Sequence, residues 1–220
     1  MQVIDFLSAV LPPPSEAYYC AVELKTRAKE HKFVKTLEEL HEAALLFDKA
    51  KKDTYFALAV FESSDSRTAA NSTRIKCLFA DIDVGEGKPY AHAENAVASV
   101  VAWAAEHLGV APVLVHSGFG VHCYWPFSEA VSVDEWRPVA ENFKRACAAN
   151  GLGIDFSVSA DSARVLRLPG THNYKRDAPR EVTILSNGGE NFHPFSYFLS
   201  LIHISEPTRP CGTSRMPSSA

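Results

Sequence analysis

Apolar and polar positions follow helical periods in some stretches and strand periods in others. Residues 1–14 carry an apolar segment closed by Pro12, Pro13 and Pro14, which predicts a short helix that proline then ends. Residues 36–49 place Leu37, Leu40, Ala44 and Leu45 at helical spacing, and Thr36 with Glu39 fits a capping box at the start. The alanine-rich run 91–107 predicts another helix, and 133–150 a further one with Gly151 set to terminate it. The runs 18–22, 55–61, 76–84, 112–116, 121–127, 164–168 and 181–185 are short and apolar or aromatic, and predict strands. Ser117-Gly118-Phe119-Gly120 joins two of them as a hairpin-like connection. Residues 25–35 are basic, and 62–73 are polar and loop-like, with Arg67, Asn71 and Arg74 in or beside them. No internal repeat is visible. The order predicts a mixed α/β chain with helices crossing between strands.

Composition narrows the classes. A chain of 220 residues suggests one large domain or two small ones. With 46% apolar and 22% charged residues it reads as an ordinary globular protein. No apolar run is long enough to span a bilayer, and the N-terminus lacks the basic segment and apolar run of a signal peptide. The expectation is a cytoplasmic protein with no membrane partner. Cys20, Cys77, Cys123, Cys147 and Cys211 show no CxxC spacing, so free thiols are expected rather than a zinc or redox motif. The net charge of −4 means that any nucleic-acid binding must come from a local basic surface.

Three elements carry candidate chemistry. Asp81 and Asp83 flank Ile82 in Phe-Ala-Asp-Ile-Asp-Val-Gly. On a strand they share a face, about 6–7 Å apart, while Ile82 points to the core. Two carboxylates at a strand end suit Mg²⁺ or Mn²⁺, and a cation relieves their repulsion. Glycosyltransferases use the same DxD pattern, and two unrelated solvated aspartates would also fit. The second element is Ser117-Gly118-Phe119-Gly120-Val121-His122, where Gly118 and Gly120 let backbone N–H groups approach phosphate. His122 shares a strand face with Tyr124 and can donate to a triphosphate or act as a proton donor; a partly buried structural histidine is the alternative. The third runs from Asp155 to Arg164, Arg167, Leu168, Pro169, Gly170, Thr171, Asn173 and Lys175. Asp155 can supply a third carboxylate, with Asp161 as its rival. Arg167 and Lys175 can neutralise phosphates, and Arg164, Arg176 and Arg180 add to a local basic surface.

The end of the chain reads differently. LSLIHISEPTR at 199–209 resembles a translated transposase-type sequencing adapter, and SRMPSSA at 214–220 resembles the flow-cell end of the same library. Residues 210–213 would then be a translated index. The stretch 199–220, with His203 and Cys211, is therefore expected to be non-native, the natural chain continuing past Phe198.

In order and spacing, the three elements resemble the archaeo-eukaryotic primase superfamily, particularly phage and plasmid primase-polymerase domains. The resemblance covers roughly residues 50–185. Its DxD motif matches Asp81 and Asp83, and its Ser-x-His motif matches Ser117 and His122. Its acidic residue ahead of Arg-Leu-Pro-Gly-Ser/Thr matches Asp155 and residues 167–171. Asn173 stands where some members carry histidine, and the zinc module of many members has no counterpart here. The resemblance implies an α/β (α+β) fold: an RRM-like catalytic core over 71–198 packed against an N-terminal α/β module over 1–70, with the active site in the cleft between them. It implies a DNA primase or DNA polymerase for phage or plasmid replication, a two-metal nucleotidyltransferase. Asp81, Asp83 and Asp155 would hold Mg²⁺ or Mn²⁺, and His122 would join them in catalysis. Ser117, Gly118, Gly120, His122, Arg164, Arg167, Asn173 and Lys175 would bind the nucleotide. Partners would be dNTP or rNTP, a single-stranded or primed DNA template, and a helicase further along the chain. Rival readings are a DxD glycosyltransferase and a non-catalytic replication initiator domain that binds nucleic acid through an RRM-like sheet. The glycosyltransferase leaves the histidine hairpin and Arg-Leu-Pro-Gly-Thr unexplained. The initiator reading leaves the three carboxylates unexplained, and the sequence shows no aromatic stacking motif of such sheets.

Overall fold

Local capping chemistry starts two of the helices close to where the sequence predicts them. The computed structural model describes residues 1–24, 30–176, 178–189 and 192–203. Helix α1 spans Val3–Val10, and the chain leaves it through the three prolines, where the Tyr19 hydroxyl donates to the Pro12 carbonyl at 2.7 Å. Helix α2 spans Leu37–Lys49; the Thr36 hydroxyl accepts from the Glu39 N–H at 3.1 Å and Glu39 accepts from the Thr36 N–H at 3.2 Å. Helix α3 spans Ala93–His107 and α4 spans Val133–Ala149. Ser132 and Glu135 cap α4 in the same reciprocal way, and Gly151, at φ +71°, follows its end.

The strands form two main antiparallel sheets. The first has the order β2-β1-β3-β8, from β1 (Tyr19–Glu23), β2 (Glu30–Val34), β3 (Thr54–Ala57) and β8 (Val165–Arg167). The second has the order β11-β6-β7-β5-β4, from β4 (Ala59–Phe61), β5 (Ser72–Asp83), β6 (Val113–His116), β7 (Gly120–Ser132) and β11 (Thr183–Asn187). A two-stranded ribbon pairs β9 (His172–Asn173) with β10 (Arg180–Glu181). The run β5-α3-β6-β7-α4, with β7 central between β5 and β6, is the RRM-like unit. Sheet membership crosses residue 70 both ways: β4 precedes it yet joins the second sheet, and β8 follows it yet extends the first.

One core serves both sheets. Phe6 of α1 is fully buried and meets the edges of Phe56 in β3 at 5.8 Å and Tyr124 in β7 at 5.3 Å, so α1 bridges the two. Trp136 of α4 stacks on Phe79 of β5 and donates to the Cys77 carbonyl at 3.0 Å. Helix α5 spans Phe195–His203; Phe195 and Phe198 pack on Phe127, while Leu199 and Ser200 are exposed. Thus α5 runs through residues 199–203 of the adapter-like stretch, with these two buried rings ahead of it. The expectations for 204–220, Cys211 among them, lie outside the described residues.

Some sequence expectations need correction. The run 55–61 is two strands in different sheets, separated by buried Leu58; an unbroken apolar run conceals a change of sheet. The basic stretch contains β2, an exposed edge strand whose Glu30, His31 and Lys32 keep that edge polar; its residues 25–29 lie outside the described residues. The run 181–185 divides between β10 and β11. Among the described residues no helix is long and apolar enough to cross a membrane.

The pairing of β5 with β7 needs glycine at position 120. A Cβ there would stand 2.6 Å from the Ile82 carbonyl oxygen, against backbone that cannot yield cheaply. Gly120→Ala is expected to destabilise the protein by about 1–3 kcal/mol in chemical denaturation; an unchanged midpoint would contradict this packing.

Candidate active site

The antiparallel register of β5 and β7 brings the first two elements together. Asp81 pairs with His122 and Asp83 with Gly120. His122 Nε2 lies 3.7 Å from Asp81 Oδ1, and its Nδ1 approaches the Tyr124 hydroxyl at 3.4 Å. Both aspartates, Ser117 and His122 line a cleft of about 550 Å³ that also takes Arg164, Arg167, Asn173 and Lys175 from the third element. Asp53, Tyr55, Arg67 and Leu166 line it too, so both sheets supply its walls.

The charges in the cleft are unevenly compensated. Burial, then the neighbouring Asp83 and Asp155 charges, push the Asp81 carboxyl from 3.8 to about 6 against the pull of Arg164 and Lys175. Burial, then the cations Arg167, Arg164 and Lys175, hold His122 down at about 3, so at neutral pH it is an uncharged imidazole. Asp83 is exposed and meets the Lys88 ammonium at 2.8 Å. Asp155 donates its N–H to the Asp81 carbonyl at 2.8 Å. Burial would raise its carboxyl, but hydrogen bonds from the Ser157 hydroxyl and N–H, with Arg164 and Lys88 nearby, hold it below the ordinary range.

The two candidates for a third carboxylate line different depressions. Asp155 lines an adjoining depression with Asp83 and Lys88, whereas Asp161 lines the main cleft, its carboxylate accepting from the Ala163 N–H at 2.9 Å. Among the described residues no group of three or more His, Cys, Asp or Glu side chains stands arranged to hold a metal ion. The Asp81–Asp83 pair still fits a hard divalent cation. Its donors are oxygen, and Asp81 is a half-buried carboxylate whose ionised form is raised in energy by two further carboxylates.

Other residues are placed in roles the sequence did not reveal. Arg167 is buried, bonds Asp53 and the Tyr55 hydroxyl at 2.8 Å each, and sits over the Tyr55 ring. Asp53 also accepts from the Tyr174 N–H at 3.0 Å. Asn173 spends both ends of its amide on protein, donating to the Ser117 carbonyl at 2.7 Å and accepting from the Lys175 N–H at 3.1 Å. Gly118, at φ +91°, packs so closely on Asn173 that a Cβ would come within 2.7 Å. These contacts fix the hairpin against the Arg-Leu-Pro-Gly-Thr segment. Arg67, from the polar loop, donates to the Ala163 carbonyl, and the Nε atoms of Arg67 and Arg164 are buried with no hydrogen-bond partner among the described residues. Lys88 and Arg67 lie outside every motif, and no local pattern identifies Asp53 or Tyr55.

No protein-family profile matches the chain, and no curated protein matches its sequence. Solved structures match its fold. The AEP domain of the cyanophage S-2L primase-polymerase (PrimPol) superposes with a TM-score of 0.63 at 17% identity, over 91% of this chain and 96% of that one. The catalytic domain of primase RepB′, solved in complex with initiator DNA, gives 0.56 at 16% identity, over 92% and 91%. A longer RepB′ chain gives 0.57 at 15% identity, over 92% and 62%. The chain therefore has the mixed α/β fold of AEP primase-polymerase domains, as the motifs implied.

The raised Asp81 pKa carries a stability signature. The folded state holds this proton more tightly than the unfolded chain. Its stabilisation is complete below about pH 4 and is lost as the pH rises through about 6. In metal-free buffer, Asp81→Asn should therefore be more stable than wild type at pH 8 by about 1–3 kcal/mol, each pKa unit being worth about 1.4 kcal/mol. The gap should close below about pH 4. A gap constant across this range in denaturation experiments would contradict the assignment.

Proposed function

We propose that the chain is a template-directed nucleotidyltransferase, the catalytic domain of a DNA primase or primase-polymerase serving phage or plasmid replication in the cytoplasm. The observation that carries this reading is the pairing of Asp81 with His122 across β5 and β7, in a cleft also lined by Arg67 and Arg164, whose Nε atoms have no hydrogen-bond partner among the described residues. The fold it shares with the S-2L primase-polymerase and RepB′ domains supports it. Carboxylates and guanidiniums lining one cleft suit a nucleoside triphosphate better than a neutral sugar acceptor.

Asp81 and Asp83 would hold Mg²⁺ or Mn²⁺, with Asp155 as the third carboxylate through its backbone bond to Asp81 and its shared depression with Asp83. When bound, the cations would lower the pKa of the primer 3′-hydroxyl and offset charge on the departing pyrophosphate. Neutral His122 and Ser117 would donate hydrogen bonds to phosphate oxygens. Arg164, Lys175 and Arg67 would neutralise the triphosphate. Arg167, already paired with Asp53, would act mainly by holding β8 against β3 and shaping the wall of the cleft. Gly118, Gly120 and Asn173 would set the hairpin geometry.

The test supplies labelled dNTPs or rNTPs, Mg²⁺ or Mn²⁺, and a single-stranded or primed DNA template. Product should form, and Asp83→Ala should lower its rate by about 10²–10³-fold or more with the fold intact by circular dichroism, the loss seen when one electrostatic stabiliser is removed. No product from folded protein under any combination would overturn the reading, and transfer from a nucleotide-sugar would favour the glycosyltransferase instead.

A further inference from the structure

A second cationic site lies beside the cleft, in a depression of about 260 Å³ lined by Arg176, Arg180, Phe119, His116 and the start of α3. Phe119 sits at the tip of the hairpin between the two glycines and lines both this depression and the catalytic cleft. Its ring gathers two guanidiniums: the Arg176 Cζ lies 4.3 Å from the ring centroid and the Arg180 Cζ 4.8 Å. A guanidinium held by its plane against an aromatic ring keeps its N–H edge free for a phosphate. Among the described residues neither arginine forms a salt bridge with a carboxylate. Arg180 reaches the Gly118 carbonyl only at 3.5 Å.

The local charge favours an anion. Among the described residues the depression holds two arginines against one carboxylate, Glu94, in a chain whose net charge is −4. His116 lines the same depression, and burial, then the Arg180 charge, lower its pKa against the opposing pull of Glu94. His116 Nδ1 accepts from the Gly118 N–H at 3.2 Å and so braces the hairpin. His92, the N-cap of α3, makes no side-chain capping bond among the described residues, and the positive start of that helix lines the same depression as the two arginines.

We propose that Phe119, Arg176 and Arg180 form a clamp for single-stranded DNA that holds a backbone phosphate of the template where the strand leaves the catalytic cleft. Phe119, which lines both cavities and gathers both guanidiniums, carries the proposal. A strand passing over the hairpin tip meets the guanidinium pair next. The identity of the strand rests on the nucleotidyltransferase reading; the phosphate chemistry of the clamp does not.

The test is fluorescence anisotropy of labelled oligo-dT, roughly 4 to 16 nucleotides long as for single-strand grooves, without nucleotide or metal. Wild type is compared with Arg176→Gln/Arg180→Gln, both positions being exposed. The variant should bind the longer oligomers about tenfold more weakly, with a salt dependence shallower by about 0.7 for each phosphate it no longer neutralises. Its KM for nucleotide should match wild type. Unchanged affinity and salt slope would overturn the clamp. A rise in nucleotide KM equal to the loss in DNA affinity would also overturn it, by placing both arginines in the nucleotide site. A wild type that incorporates no nucleotide yet shows the variant-sensitive DNA binding sinks the enzyme reading and leaves the clamp standing.

Discussion

The pairing of β5 with β7 is the constraint on which the rest of the site depends. It fixes His122 opposite Asp81 and Gly120 opposite Asp83 in one register. A slip of one residue would turn every side chain on a strand to the other face, sending the carboxylates into the core and Ile82 into the cleft. The packing on both faces prevents that slip. Tyr124 meets Phe6 from α1 on one face, Trp125 packs on Trp103 from α3 and Phe143 from α4 on the other, and Gly120 leaves room for the Ile82 carbonyl. A fold that buries one strand face this fully can hold two like charges together at the strand end.

The second sheet contributes by a different balance. Arg167 and Asp53 form a buried ion pair, and such a pair contributes more to geometry than to net stability. Here it locks β8 beside β3, with Tyr55 directly across from Arg167. The turn that follows β8 carries Asn173 to the hairpin backbone, which joins the two sheets across the cleft. The compensated charges therefore hold the walls. Asp81 and the Arg67 and Arg164 Nε atoms, unpartnered among the described residues, are left as groups whose charge or hydrogen bonds a ligand can satisfy.

Much of this was legible in the sequence where a local pattern carried it. Thr36 with Glu39 announced α2, Gly151 announced the end of α4, and the spacing of Asp81 and Asp83 announced a shared strand face. Pairings between distant segments were not legible. Asp53 meets Arg167 across 114 residues and Asn173 meets Ser117 across 56, and neither periodicity nor motif encodes those partners. The break at Leu58 was hidden because both strands it separates are apolar on both faces. Asp155 was legible as an acidic residue ahead of β8, but the turn that draws its carboxylate onto Ser157 is set by the fold.

The central claim is that Asp81 and Asp83 form a divalent-cation site at the floor of the cleft. The most direct measurement is a Mn²⁺ titration followed by electron paramagnetic resonance, with thermal unfolding read on the same samples. Wild type should bind Mn²⁺ and gain about 2.7 kcal/mol of stability at a hundredfold excess over Kd. Asp81→Asn/Asp83→Asn should remain folded and lose both the binding and the gain. Equal Mn²⁺ binding by the double variant, or none by wild type, would contradict the account.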